Sequence, residues 1–163
     1  MAKRDTIVMW QNSYSVGIKL IDEQHMELIR LTNRLFASCM AGQESSKNTF
    51  HDIIHAVVDY VGYHFGIEEK VMERVKYPEY RVHKQEHANF VQEVFKKVEE
   101  FKSGKIFVPL SFAYYLRDWI LHHIAMNDKK VGKYLQMMHK NGQLQKITLM
   151  VKNDKTTNWI QIR

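Results

Sequence analysis

Residues 57–72 read VVDYVGYHFGIEEKVM, and this stretch carries ionisable side chains inside an apolar helical stripe. Its apolar positions recur every three or four residues, which predicts an amphipathic helix with one buried face. His64 and Glu68 are four residues apart and fall on that face. Burying such groups is costly unless something satisfies them, and a metal ion does so. The stretch therefore predicts a core helix that contributes metal ligands.

Three further stretches have the same period, so the chain is predicted to be all-α. Short connections between helices favour antiparallel neighbours, and the predicted architecture is an up-down-up-down four-helix bundle. The stripes run from Ile21 to the Ala41-Gly42 stop, from Phe50 to the Tyr77-Pro78 stop, from Tyr80 to Ser103-Gly104, and from Phe112, after Pro109, to Leu135.

The two ends of the chain lack this period. We expect residues 1–18 to form an N-terminal arm, residues 19–139 the bundle, and residues 140–163 a C-terminal extension. In the extension, Ile147, Leu149 and Val151 alternate before a turn-like Asn153-Asp154-Lys155, and apolar residues follow. This pattern favours a small β-hairpin.

Composition narrows the class of protein. A chain of 163 residues is most simply one domain, and its excess of 24 Lys and Arg over 18 Asp and Glu is scattered rather than clustered, which argues against nucleic-acid binding. No run approaches the ~20 apolar residues of a membrane span, and the N-terminus does not resemble a signal peptide. The single cysteine, Cys39, lies on an apolar stripe and is expected in the core. A soluble cytoplasmic protein is the expectation.

All four stripes carry candidate metal ligands. His83 and His87, like His64 and Glu68, are spaced to point to one side of their helix. The five-residue step from His123 to Asp128 turns roughly 140° on an ideal helix, so either that helix is wound differently at residues 125–127 or Asp128 reaches in obliquely. The candidate set is His25, His64, Glu68, His83, His87, His123 and Asp128.

A lone histidine on an apolar face is more often a hydrogen-bonded core residue than a ligand, but chance does not readily place seven such groups on four stripes. The remaining histidines serve as controls. His51 and His55 fall on the opposite side of their helix from His64, and His122 shares a face with polar residues. They are expected at the surface.

Together these residues resemble a hemerythrin domain of the bacterial type, over about residues 8–135. The resemblance implies a non-haem di-iron centre that binds dioxygen reversibly and is not an enzyme. It places His83, His87 and His123 on one iron, and His25 and His64 on the other. It is carried by Trp10, residues 15–18, residues 21–25, His64, Phe65, Glu68, Glu69, Met72, Tyr77, Pro78, His83, His87, Phe90, Trp119, His123, Ile124, Asp128 and Lys129.

Counting coordination positions leads toward the same function. Two six-coordinate irons filled by five histidines, two bridging carboxylates and a bridging oxo or hydroxo group keep a single vacancy. The implied distribution of histidines puts this vacancy on the iron with two histidines, where dioxygen would bind. Candidates for the surrounding apolar pocket are Leu28, Phe65, Trp119 and Ile124, with Leu28 and Ile124 preferred.

Two other functions are weighed against oxygen carriage, storage or delivery. His83, Glu86 and His87 form an H-x-x-E-H pattern, which is found in some zinc hydrolases but leaves the other ligands unexplained. An oxygen or redox sensor would share the metal site and act on a protein partner through residues 143–163, for example by strand addition.

Overall fold

Four long helical segments make up the bundle, and a short arm precedes them. The computed structural model describes residues 6–103, 109–144, 151–153 and 156–158, without side chains for residues 43–49 and the two strands. A single 3₁₀ turn, Asn12–Tyr14, lies in the arm. The longer elements are α1 (Lys19–Met40), α2 (Gln43–Arg74), α3 (Tyr80–Lys102), α4 (Pro109–His123) and α5 (Lys129–Lys140). The prediction of an all-α four-helix bundle is confirmed.

The second helix begins earlier than its apolar stripe. We predicted the stripe from Phe50, whereas α2 starts at Gln43, directly after Gly42 with its φ of +120°. A glycine readily adopts this backbone conformation and separates α1 from α2 by a tight turn. Apolar periodicity reports which residues are buried, so it does not detect polar helical turns at the end of a bundle.

The fourth helix of the bundle is continuous but changes its winding once. A π-helical turn, Ile124–Asp128, joins α4 to α5. Hydrogen bonding from residue i to residue i+5 widens the helix, so a residue five positions on returns to nearly the same face. Of the two alternatives for His123 and Asp128, the structure therefore has the locally different winding.

The described part of the arm packs along the bundle. Val8, Val16 and Ile18 are buried, and Asn33 of α1 accepts hydrogen bonds from the backbone N–H groups of Ile7 and Val8 at 3.0 and 3.2 Å. The arm also touches α5 closely: a Cβ atom placed on Gly132 would lie 2.1 Å from the carbonyl oxygen of Val16. Only glycine permits this approach of arm to helix.

Aromatic rings fill the seam between α3 and α4. Phe90 of α3 stacks on Trp119 of α4 with ring centroids 3.9 Å apart, and lies parallel to Tyr115 at 6.0 Å. Phe90 is only 2% exposed. These rings connect α3 to α4. Phe90 lies about one helical turn from His87 on α3, and Trp119 lies about one turn from His123 on α4.

After α5, two short strands pair antiparallel. The strands are β1 (Val151–Asn153) and β2 (Thr156–Asn158), and Val151 lies opposite Asn158. A hairpin was expected in this region; the expectations for Ile147, Leu149, Trp159, Ile160 and Ile162 lie outside the described residues. Among the described helices, none is long and apolar enough to cross a membrane.

Candidate metal centre

The seven candidate ligands converge in the middle of the bundle. Each of their side chains is at most 6% exposed. They form two overlapping groups whose ligand atoms lie within 4.8 Å of one another, and the two carboxylates belong to both groups. One group contains His83, His87 and His123, and the other contains His25 and His64. Glu68 and Asp128 therefore lie between two sets of imidazoles, where carboxylates can bridge two ions.

The three-histidine end has a regular geometry. The Nε2 atoms of His83, His87 and His123 form a triangle with sides of 3.0, 3.1 and 3.1 Å. For a metal–nitrogen distance of about 2.1 Å, adjacent nitrogens lie ~3.0 Å apart in octahedral coordination and ~3.4 Å apart in tetrahedral coordination. The triangle fits one face of an octahedron better than it fits a tetrahedral zinc site.

The two-histidine end is less crowded with nitrogen. His25 Nε2 lies 3.1 Å from Asp128 Oδ2 and 3.9 Å from Glu68 Oε1, and His64 Nε2 lies 3.7 Å from Glu68 Oε2. The rings of His25 and His64 meet edge to face with centroids 4.9 Å apart. This end offers one imidazole fewer to a metal ion.

Unsatisfied polar atoms in this cluster are compatible with a site for cations. Within the described part of the chain, both ring nitrogens of His25, both oxygens of Asp128 and Oε2 of Glu68 are buried without a hydrogen bond. His25 and Asp128 approach each other but are not aligned as a hydrogen-bonded pair. Each buried group left unpaired costs about 1–3 kcal/mol. Metal ions bound among these donors would remove that cost, so the residues fit a two-metal centre.

Burial prepares two of the five imidazoles to bind as neutral ligands. It lowers the pKa of His64 well below its usual value, and it lowers that of His87 to about 3 with the help of His123 and His83. Burial also lowers the pKa of His123, but its contact with Asp128 and the negative charges of Asp128, Glu68 and Glu86 together outweigh this and raise it. His64 and His87 are therefore ready to donate a lone pair at neutral pH.

The two carboxylates are shifted in opposite directions. Burial, reinforced by the negative charge of Asp128, raises the pKa of Glu68 to about 7. Burial acts the same way on Asp128, but contacts with His123, His25 and His83 hold its pKa well below the usual range. A metal ion entering the cluster therefore competes with a proton at Glu68 more than at Asp128.

Hydrogen bonds outside the cluster orient three ligand rings. His64 donates from Nδ1 to Gln24 Oε1 at 2.9 Å, and His87 donates from Nδ1 to Glu69 Oε1 at 3.2 Å. The side-chain amide of Asn127 lies 3.1 Å from His123 Nδ1. Donation from Nδ1 fixes the tautomer of His64 and His87 that leaves the lone pair on Nε2 for a metal. The sequence reasoning assigned no role to these three residues, although Gln24 and Glu69 adjoin predicted ligands.

Two of the predicted pocket residues contact ligand rings at the three-histidine end. Phe65 stacks on His87 at 3.7 Å with an interplanar angle of 4°, and Trp119 stacks on His123 at 4.4 Å. Leu28 and Ile124 are buried, with 4% and 1% of their surfaces exposed. They follow His25 by three residues and His123 by one residue, respectively.

The control residues lie apart from the cluster. His51, His55 and His122 are exposed, as expected from their helical faces. Glu86, the acid of the H-x-x-E-H pattern, is absent from both groups of potential ligands found among the described residues. His83 and His87 instead share their cluster with His123 and the two carboxylates.

Comparisons with known proteins agree with this geometry. Residues 16–135 match the family model of the hemerythrin HHE cation binding domain. The chain is 30% identical over 123 residues to a bacteriohemerythrin of Stenotrophomonas maltophilia, covering 76% of this chain and 78% of that protein. It is 29% identical over 122 residues to a bacteriohemerythrin of Methylococcus capsulatus, covering 75% of this chain and 91% of that protein. A crystal structure of wild-type hemerythrin superposes with a TM-score of 0.71 at 26% identity, covering 78% of this chain and 97% of that one.

Proposed function

The chain belongs to the hemerythrin family, and on that premise we propose that it binds dioxygen reversibly at a non-haem di-iron centre, as an oxygen carrier, store or delivery protein and not as an enzyme. The observation that carries the proposal is the unequal distribution of imidazoles around shared carboxylates. Three histidines serve one end of the cluster and two serve the other. With Glu68, Asp128 and an oxo or hydroxo group bridging two six-coordinate irons, this arrangement would leave one coordination position free at the two-histidine end.

In this proposal, the ligand residues hold two irons and leave room for a small molecule. His83, His87 and His123 would fill the nitrogen positions of one iron, and His25 and His64 those of the other. When bound, the two ferrous ions supply the two electrons that dioxygen takes up and returns on release. The stacked rings of Phe65 and Trp119 hold His87 and His123 in place at the end that does not bind the gas.

Leu28 and Ile124 have a different proposed task, which is to exclude water. Both side chains are almost fully buried; Leu28 follows His25 by three residues, and Ile124 follows His123 by one. An apolar wall opposes any change in net charge at the site, because a charge is poorly stabilised there. We assign the oxygen pocket to Leu28 and Ile124; the other two candidates, Phe65 and Trp119, contact ligand rings at the three-histidine end instead.

One observation favours a second candidate, an oxygen or redox sensor that acts on a protein partner. The strands β1 and β2 follow the residues that match the family model, which end at residue 135. A strand pair can accept an added strand from another protein. Removing residues 143–163 tests this role: unchanged oxygen binding with altered association would support signalling, and unchanged association would contradict it.

The main proposal is tested by an optical titration of anaerobically reduced, iron-loaded protein with dioxygen, followed by removal of the gas. A charge-transfer band that appears and then disappears is expected. Irreversible conversion to a ferric spectrum would contradict reversible binding, and protein without an iron band would contradict the di-iron centre. The His122→Ala variant should behave like the native chain, because His122 is exposed and outside the cluster.

A further inference from the structure

A cavity of about 210 Å³ lies between α2 and α3, away from the ligands themselves. Its inner wall consists of buried apolar side chains, among them Val57 and Val61 of α2 and Val94 of α3. Its outer rim includes Gly62, which is exposed, and Phe95, whose side chain is 52% exposed. Each lining residue is apolar, so the cavity offers no side-chain hydrogen bond to water or to an ion.

The inner wall of the cavity adjoins the metal centre. Val61 precedes His64 by three residues on the buried stripe of α2, one helical turn away. Phe90, which also lines the cavity, stacks on Trp119 at 3.9 Å and meets Phe65 edge to face at 5.9 Å. Phe65 and Trp119 in turn contact the rings of His87 and His123. Phe90 at the cavity wall, with Phe65 and Trp119 behind it, therefore separates the cavity from the ligand rings.

Size and chemistry restrict what can occupy this space. Apolar cavities of roughly 150 Å³ stay dry in proteins and bind molecules such as benzene or xenon. We propose that the cavity between α2 and α3 is a binding site for small apolar molecules, and that it holds dioxygen on its way to the metal centre. The second half of this inference rests on the proposed function; the first half does not.

The rim offers an entrance that can be closed by one side chain. A Cβ atom on Gly62 would meet no other atom within 4 Å, so a larger residue fits there without displacing its neighbours. Gly66 provides a matched control one turn further along α2: its Cβ position is equally free, and it does not line the cavity. Val94, seven residues beyond His87 on α3, is suited to filling the interior.

Xenon detects the cavity independently of the dioxygen chemistry proposed for the metal centre. Crystals of the ferric, iron-loaded protein under xenon pressure should show xenon between α2 and α3 in the native chain and in Gly66→Leu, and none in Val94→Phe. An empty cavity in the native chain would overturn the inference and leave the proposed function standing. Xenon bound in a protein that shows no reversible oxygen band would support the apolar site and overturn the proposed function.

The entry role has its own measurement. Stopped-flow mixing of reduced protein with dioxygen should show a severalfold slower association for Gly62→Leu and Val94→Phe, with the rate of Gly66→Leu unchanged. Equal rates in all of these proteins would overturn the role in oxygen entry. Sedimentation tests whether a second copy of the chain covers the cavity instead. If the native chain is dimeric and Phe95→Ser makes it monomeric, the second copy occupies the cavity, and that result would overturn the inference as well.

Discussion

The two ends of the metal cluster are supported in different ways. At the three-histidine end, the Nε2 atoms already have the spacing of an octahedral face, and Phe65 and Trp119 stack on two of the rings. At the two-histidine end, Gln24 holds His64, while His25 has no hydrogen bond within the described residues. Neighbouring side chains therefore orient the first end, whereas at the second end only His64 has such an orienting hydrogen bond.

This difference suggests a division of labour. On the proposed function, the three imidazoles would retain their iron and change little, because stacked rings resist reorientation. The end with fewer donors would leave space for an exchanging ligand. Glu68 and Asp128 belong to both groups of potential ligands, so a change at one end would reach the other through them. The following predictions test how far the two ends are independent, beginning with the largest effect.

Removing an imidazole from the rigid end should have the largest consequence. We expect His123→Ala to lose at least one iron per chain and to lower the melting temperature by roughly 10 °C, equivalent to about 3 kcal/mol. The reason is that one ligand position is lost and the buried carboxylate of Asp128 loses one of its partners. Metal analysis and calorimetry measure the effect. His122→Ala changes the exposed neighbouring histidine and should neither lose iron nor lower the melting temperature. Equal losses of iron and stability in both variants would refute the ligand assignment.

Metal affinity should fall as the pH decreases through about 7. In the metal-free protein, burial and the charge of Asp128 raise the pKa of Glu68 to about 7, so below this pH a bridging position carries a proton that the metal must expel. The raised pKa of His123 acts in the same direction. Each displaced proton weakens binding about tenfold per pH unit.

Anaerobic competition between the protein and a ferrous chelator from pH 6 to 8 measures this dependence. Glu68→Gln should bind iron more weakly but with a shallower pH dependence, because that position no longer titrates. An affinity of the native protein that stays constant over this range would show that Glu68 carries no competing proton.

Loosening only the weaker end should separate the two irons. Gln24→Leu removes the acceptor for His64 Nδ1 while keeping a side chain of similar size, and loss of such an outer contact costs about 10–100-fold in metal affinity. Stepwise removal of iron by a chelator should then show one iron leaving early. Glu69→Gln, which changes the acceptor of His87, should instead weaken the other iron. Simultaneous release in both variants would mean that the ends are not independent.

The smallest effect is expected at the pocket wall. Leu28→Ala or Ile124→Ala should increase the rate at which the oxygenated form converts to the ferric form by severalfold, because the vacated volume admits water. Absorbance decay under air measures this rate. Leu35→Ala removes an equally buried leucine farther along α1 and should leave the rate unchanged. If neither pocket variant differs from the native chain, the pocket lies elsewhere.

Much of this arrangement could be predicted from sequence, and the exceptions have physical reasons. Helical periodicity placed His25, His64 and His83 correctly in a buried centre, because burial follows the same period as the apolar stripe. It left the orientation of Asp128 open, since ideal helical geometry does not include the π turn that directs this side chain toward the cluster. The roles of Gln24 and Glu69 were not predicted, because hydrogen bonds to ring nitrogens depend on how helices cross. The cavity between α2 and α3 was not predicted either, because no residue pattern in a sequence indicates where packing leaves a space.

The π turn at Ile124–Asp128 also sets the register of everything that follows it. It uses one residue more than an α-helical turn would, and one residue corresponds to about 100° of rotation. The same extra residue turns Asp128 toward the cluster and Gly132 toward the carbonyl of Val16. If these same five residues were wound as an α-helix, Asp128 and Gly132 would both rotate by about 100° and lose these contacts together. The metal centre and the contact between the N-terminal arm and α5 therefore both depend on the winding of this one turn, and neither can change without the other.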